Sequence, residues 1–183
     1  MAHVCPWWFV RSFDNPIRRR LHDPEQIFGA SVRPGMHVLD VGCGAGFNTE
    51  GLARLVGSEG LVVAVDLQPR MLAMTKRRLE RSGLSARAEL IQSSAHDLGL
   101  GTQRRFGFAV AFWMVHEVPD VERLFEQVRS VLEDGASLLV TEPKLHVGRH
   151  AFEASVEAAL RTGFKESDRP TIALSRSVLL VRS

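Results

Sequence analysis

The run Val38-Leu39-Asp40-Val41-Gly42-Cys43-Gly44-Ala45-Gly46-Phe47-Asn48-Thr49 constrains this chain more than any other stretch. An apolar strand feeds a loop with glycine at 42, 44 and 46, and a helical pattern follows. Glycine lacks the Cβ that forbids left-handed backbone and holds a ligand away, so the loop can turn tightly and approach something closely. The spacing departs from the Gly-x-Gly-x-x-Gly of a pyrophosphate binder, because the third glycine comes one residue early. Taken alone, the triplet fits a ligand loop and an ordinary strand-to-helix turn equally well.

The rest of the chain repeats the same alternation. Met36 to Val41 and Leu61 to Val65 are short apolar runs that read as buried strands, and Ala88 to Gln92, Phe106 to Met114 and Ser137 to Thr141 read as three further strands. Between them lie helical patterns over Phe47 to Val56, Pro69 to Ser82, Pro119 to Leu132 and His150 to Thr162, several stopped by glycine. Asp23-Pro24 opens a short helix that should end near Gly29 to Val32. Phe164 to Arg169 and Ser177 to Arg182 suit an antiparallel pair. Strands alternating with helices imply right-handed βαβ units and a mostly parallel sheet. The expected fold is therefore α/β: a Rossmann-like, doubly wound sheet of seven strands with an antiparallel C-terminal strand and helices on both faces. Residues 33–183 form that domain. Residues 1–32 form a separate N-terminal segment, rich in aromatics (Trp7, Trp8, Phe9, Phe13) and ending in the short helix.

A second local feature sharpens the loop. Asp66 ends the second strand, twenty residues after Gly46. In a doubly wound sheet a carboxylate there can accept hydrogens from both ribose hydroxyls. The alternative is that Asp66 caps the helix beginning near Pro69.

Together, Val38 to Gly46 and Asp66 resemble motif I and its paired acid in the class I S-adenosylmethionine-dependent methyltransferases. The later stretch Trp113-Met114-Val115-His116-Glu117-Val118 is similar to the segment after the fourth strand in small-molecule methyltransferases of the ubiquinone/menaquinone-biosynthesis group. The resemblance runs from about Arg33 to the C-terminus. It implies that S-adenosylmethionine is the cofactor. It places Asp40 and the backbone of Gly42, Cys43, Gly44 and Gly46 around the methionine portion, with Phe112 offering backbone nearby. It places Asp66 on the ribose and Leu67 against the adenine. Ser94 and Ala95 stand where relatives often reach the adenine amino group with an acid or Asn; a serine hydroxyl can accept the same hydrogen bond. Gly107 is a second departure, since relatives often carry Asp there.

Open α/β sheets hold ligands outside the carboxyl ends of their strands. That edge carries Trp113, Met114, His116, Glu117, Glu142 and Lys144. A sulfonium methyl is already activated, so a protein has mainly to position the acceptor. A hydroxyl or thiol acceptor also needs a base, and His116 is the candidate because its ordinary pKa suits neutral pH. The other reading of His116 is a hydrogen bond within its own loop; Glu117 either faces substrate or caps the following helix. Trp7 and Trp8, with Trp113, are candidate substrate contacts, and residues 1–32 a candidate lid.

The expected activity is methyl transfer to a small-molecule acceptor. Two rivals are a non-catalytic module binding S-adenosylmethionine or another nucleotide, and an enzyme acting on a metalloid or thiol. In the latter, His3, Cys5 and His116 would meet; the expectation from the sequence is no resident metal. A net charge of +2 spread over 183 residues, with only Arg18-Arg19-Arg20 and Arg104-Arg105 clustered, does not suit a nucleic-acid partner. The fourth strand is not followed by the Asn/Asp-Pro-Pro-Tyr/Phe motif of base amino-methylation. No apolar run nears the ~20 residues of a membrane span, and two cysteines make no disulfide framework. These features point to a cytoplasmic protein, monomeric or homodimeric.

Overall fold

The structure is a computed structural model that describes residues 20–101 and 103–183. In chain order the elements are α1 (Pro24–Phe28), β1 (His37–Val41), α2 (Phe47–Leu55), β2 (Leu61–Asp66), α3 (Pro69–Arg81), β3 (Ala88–Gln92), β4 (Phe106–Phe112), α4 (Val121–Val131), β5 (Leu132–Pro143), α5 (Arg149–Arg161), β6 (Phe164–Asp168) and β7 (Ser175–Arg182). Single 3-10 turns lie at Ser85–Arg87 and Val115–Glu117.

One seven-stranded sheet runs in the order β3-β2-β1-β4-β5-β7-β6. Strands β1 to β5 pair in parallel; β7 is antiparallel to both β5 and β6. The expected architecture is thus the observed one. The order reverses beside β1, which pairs β2 on one side and β4 on the other. A doubly wound sheet opens its ligand crevice at such a reversal.

The unbroken apolar runs have a simple cause: both faces of each central strand are covered. Leu39, Val41, Val63, Val65, Ala109, Ala111, Leu138 and Val140 point to one face, where Leu124, Phe125 and Val128 of α4 and Phe152 and Val156 of α5 pack. Val38, Val62, Phe108, Val110 and Leu139 point to the other, under Phe28 of α1, Leu52 and Ala53 of α2 and Leu79 of α3. The short helix α1 begins where Asp23 accepts the Glu25 N–H at 3.0 Å, with Pro24 in its first turn. Phe28 carries it into the core.

Several boundaries differ from the sequence reading, and three of them have a clear physical reason. Strand β4 stops at Phe112 rather than Met114, because Trp113 takes φ 61° and turns the chain off the sheet. Helix α4 starts at Val121 rather than Pro119, because Asp120 caps it by accepting the Arg123 N–H at 3.0 Å. Strand β5 begins five residues early at Leu132, which pairs Phe106 across an irregularity in the ladder. A Cβ at Gly107 would come within 2.7 Å of Met36 Cε, the far end of a flexible side chain that can move aside, so its neighbours do not demand glycine there.

Candidate functional site

The carboxyl ends of β1, β2, β4 and β5 open into a cavity of about 980 Å³. Its two long walls are built differently.

The first wall is mostly backbone. After Val41 the chain passes through Gly42, Gly44 and Gly46 at φ 69°, 55° and 77°. The N–H groups of Gly42 and Cys43 both donate to the Val65 carbonyl, at 2.9 and 3.0 Å, which draws the loop against β2. Asp66 completes the tie: Oδ2 accepts the Gly44 N–H and Oδ1 the Gln68 N–H, each at 2.8 Å. Burial raises the Asp66 pKa, and those two N–H donors hold the rise back. A carboxylate oxygen has two lone pairs, so Asp66 keeps acceptor capacity beyond its two backbone donors. A Cβ on Gly42 would strike Met114 Cγ at 2.7 Å, and one on Gly46 would strike Thr75 Cγ2 at 2.7 Å. A Cβ on Gly44 would meet nothing within 4 Å. The first and third glycines are therefore required by protein neighbours, whereas the second borders open space.

The residues named from the sequence divide accordingly. Gly42, Cys43, Gly44, Asp66, Leu67, Ser94, Ala95 and Phe112 line the cavity. Asp40 and Gly46 are not among the lining residues. Asp40 stands behind the turn, buried, accepting the Thr49 hydroxyl at 2.6 Å. Burial lifts its pKa to about 7, the Thr49 hydrogen bond opposes the rise, and the charge of Asp66 adds to it. The Cys43 thiol is likewise pushed up, chiefly by burial and then by Asp40 and Asp66. Ser94 lies in a tight turn: its N–H donates to the Asp97 carbonyl and its hydroxyl accepts the His96 N–H. Asp97 binds the Gly99 N–H at 2.8 Å, which is a turn cap.

The second wall is mostly side chains. Trp113, Met114, His116, Glu117, Leu145 and His146 line it. The Trp113 indole donates to Ser175 Oγ at 3.0 Å and stacks at a tilt on Phe112. His22 meets both rings edge-on, at 5.5 and 5.0 Å. The side chain of His116 is 20% exposed; its Nδ1 lies 2.5 Å from Oε2 of Glu142, which is 1% exposed. Oε1 of the same carboxylate accepts the His116 backbone N–H at 3.2 Å. The His146 ring crosses the His116 ring at 4.9 Å. Glu117 borders the cavity, with Oε1 3.9 Å from His116 Nε2; the helix cap it was weighed for is supplied by Asp120 instead.

Trp7, Trp8, His3 and Cys5 lie outside the described residues. Among the described residues no three His, Cys, Asp or Glu side chains gather to hold a metal, and no helix is long and apolar enough to cross a membrane. Of the basic clusters, Arg104 is engaged by both oxygens of Glu89 at 2.8 Å.

Sequence reasoning missed Asn48 and His146. Asn48 follows the glycine turn, lines the cavity, and buries an Oδ1 that has no hydrogen-bond partner among the described residues. His146 lies four residues beyond Glu142. Listing every polar side chain just past each strand's carboxyl end would have found it.

Residues 38–135 match the family of methyltransferase domains. The chain belongs to that family. Within it, the chain is 31% identical over 127 residues to the ubiquinone/menaquinone biosynthesis C-methyltransferase UbiE of Shewanella frigidimarina, a match covering 68% of this chain and 50% of the relative. It is 33% identical over 113 residues to UbiE of Cronobacter sakazakii, covering 62% and 45%. The chain spans about half the length of these curated relatives. A solved S-adenosylmethionine-dependent methyltransferase from Aquifex aeolicus superposes with a TM-score of 0.87 at 22% identity, covering 98% of this chain and all of that one. The chain is thus a class I methyltransferase domain, similar in sequence to UbiE, whose cofactor is S-adenosylmethionine. The site suits that group: the space beside Gly44, the spare acceptor capacity of Asp66 and the unpartnered Asn48 Oδ1 all lie on one wall.

Proposed function

We propose that this chain transfers the methyl group of S-adenosylmethionine to a small-molecule acceptor held against His116. The observation that carries the reading is that Asp66 and His116 line one continuous cavity, at the place where the sheet order reverses. Bound S-adenosylmethionine supplies an electrophilic methyl on a sulfonium. Asp66 and the close-approaching backbone of the turn from Gly42 to Gly44, whose own N–H groups are taken by Val65 and Asp66, border its nucleoside and methionine ends, with Leu67, Ser94, Ala95 and Phe112 around them. Asp40 acts from behind, keeping the turn in place through Thr49. His116, Glu117 and Trp113 receive the acceptor.

Of residues 1–32, the part that precedes α1 is proposed as the lid, because Phe28 and Val32 fix the rest in the core. The described chain begins beside the cavity, with His22 packed on Phe112 and Trp113; this supports the reading, while Trp7 and Trp8 lie outside the described residues. A cytoplasmic setting and a monomeric or homodimeric state complete the proposal; the free Cys43 thiol in the loop fits a reducing compartment.

Calorimetry with S-adenosylmethionine and with NAD tests the reading. Binding of the former alone is expected. Binding of NAD alone would sink it. Tight cofactor binding without turnover over a broad acceptor panel would favour the non-catalytic module instead.

A further inference from the structure

A buried carboxylate is costly to desolvate unless it is hydrogen-bonded. Glu142 is 99% buried and aims both oxygens at one residue, holding the His116 backbone by Oε1 and the His116 ring by Oε2. Such a bidentate grip fixes ring orientation and tautomer together. With the carboxylate of Glu142 as the acceptor of this pair, Nδ1 carries the hydrogen and neutral His116 keeps its lone pair on Nε2. The nearest carboxylate oxygen to Nε2, on Glu117, is 3.9 Å away and beyond hydrogen-bond reach. With the Nδ1 edge turned into the protein, the Nε2 edge is the one that borders the cavity.

The surroundings of His116 narrow the acceptor further. The groups facing it are Glu142 from the end of β5, Glu117 from its own 3-10 turn and the His146 ring from the loop after β5. The cations lining the cavity point elsewhere: Arg78 binds the Ala45 carbonyl and Glu50, and Arg123 binds the His96 carbonyl. This wall repels an anion and accepts a hydrogen-bond donor.

Resting on the methyltransferase reading, we propose that Glu142 is a positioning residue that turns His116 Nε2 to the acceptor, and that the acceptor is a neutral hydroxyl or N–H group that gives up its proton there. As the acceptor atom bonds to the methyl carbon, the carbon–sulfur bond breaks and its electron pair stays on sulfur. The acceptor's X–H bond breaks at the same centre, and its proton passes to Nε2, leaving His116 as the imidazolium beside Glu142. Burial pulls the His116 pKa down, yet the hydrogen bond and charge of Glu142, with Glu117, outweigh it and leave the pKa raised. A base of that kind loses its proton later in a pH titration and grips the transferred one more firmly.

The first test needs neither cofactor nor acceptor. Nitrogen-15 NMR of the cofactor-free protein, with the His116 signals assigned by their loss in His116→Gln, should show the Nδ1–H tautomer and a pKa above that of an ordinary histidine. Glu142→Gln should lower that pKa. An Nε2–H tautomer, or a pKa unmoved by the substitution, overturns the proposal. Should Glu142→Gln fail to fold, the wild-type tautomer decides alone. The second test is turnover of catechol and aniline, which carry such protons, against nicotinamide and dimethyl sulfide, which offer a proton-free nucleophile. Methylation of catechol or aniline is expected, rising with pH through the His116 pKa. Glu142→Gln should cut kcat about a hundredfold with KM nearly unchanged and move the inflection to lower pH. No turnover of either X–H probe, or equal turnover of the proton-free ones, overturns the acceptor class. Calorimetry with S-adenosylmethionine separates the cases, since lost cofactor binding would fault the methyltransferase reading and leave the tautomer result standing.

Discussion

The two walls of the cavity are organised on opposite principles. The wall from Val41 to Ala45 is made by the backbone of one continuous stretch, pinned by a single carboxylate twenty-four residues from Gly42. The wall at His116 is made by side chains from two segments, the turn after β4 and the end of β5, which meet because those strands are neighbours. A backbone wall recognises what every cofactor molecule shares and tolerates little change. A side-chain wall can be altered residue by residue without disturbing the first. The difference fits the proposal that one wall takes the shared cofactor while His116 and Glu117 on the other receive the acceptor, with Leu145 95% exposed at the rim.

The sharpest way to break the comparison is His116→Ala. We expect kcat to fall about a thousandfold, within the range a positioned base contributes, while the Kd for S-adenosylmethionine stays within about twofold. Equal losses in both would show that the walls are not separable. Asp66→Ala should do the converse. It strands the Gly44 and Gln68 N–H groups and removes the ribose acceptor, so calorimetry should show cofactor affinity down about a hundredfold, two charge-assisted hydrogen bonds' worth. Gly44→Ala is finer. Its Cβ would meet no protein atom, so stability should drop only by the ~1 kcal/mol of a left-handed alanine. The same Cβ enters the cofactor's space, and affinity should fall about tenfold. A variant that unfolds would place the requirement for glycine in the protein rather than the ligand.

Asp40 gives the smallest expected effect and tests the layer behind the first wall. Its carboxyl holds a proton in the folded protein up to about pH 7 that the unfolded chain loses near 3.8. The folded state binds more protons across that interval, so this group makes stability fall as pH rises from about 4 to 7. The full shift corresponds to about 4 kcal/mol. Asp40→Asn removes it but buries amide hydrogens that lack acceptors, at ~1–3 kcal/mol. A net gain of about 1–2 kcal/mol at pH 8 is expected in denaturant unfolding, with a flatter pH profile. A loss at pH 8 with an unchanged slope would show that Asp40 is ionised throughout.

Much of the fold was legible before any coordinates. Leu61 to Val65 read as a strand because a strand covered on both faces needs apolar residues on both. Asp23-Pro24 read as a helix start because its capping chemistry is local. Ends set by tertiary pairing were not legible. Trp113 leaves β4 through a left-handed conformation that no bulky residue advertises, and Leu132 joins β5 only because Phe106 lies opposite. At the site, the glycine spacing and the acid after the second strand pointed to Gly44 and Asp66, the resemblance added Cys43, and all three line the cavity. Asp40 belongs to the same motif yet faces Thr49 instead of the cavity, because alternate residues of a strand leave by opposite faces.

What the sequence determined by itself, then, is whatever short-range chirality and periodicity dictate: glycines at positive φ, buried strands alternating with amphipathic helices, and an acid at the end of the second strand. What only the tertiary structure decided is the pairing of His116 with Glu142, twenty-six residues apart. That contact depends on β4 lying beside β5 with Phe112 opposite Thr141. Register between two parallel strands joined through a helix is a property of the whole sheet, because each strand takes its place from all the surfaces that pack on it.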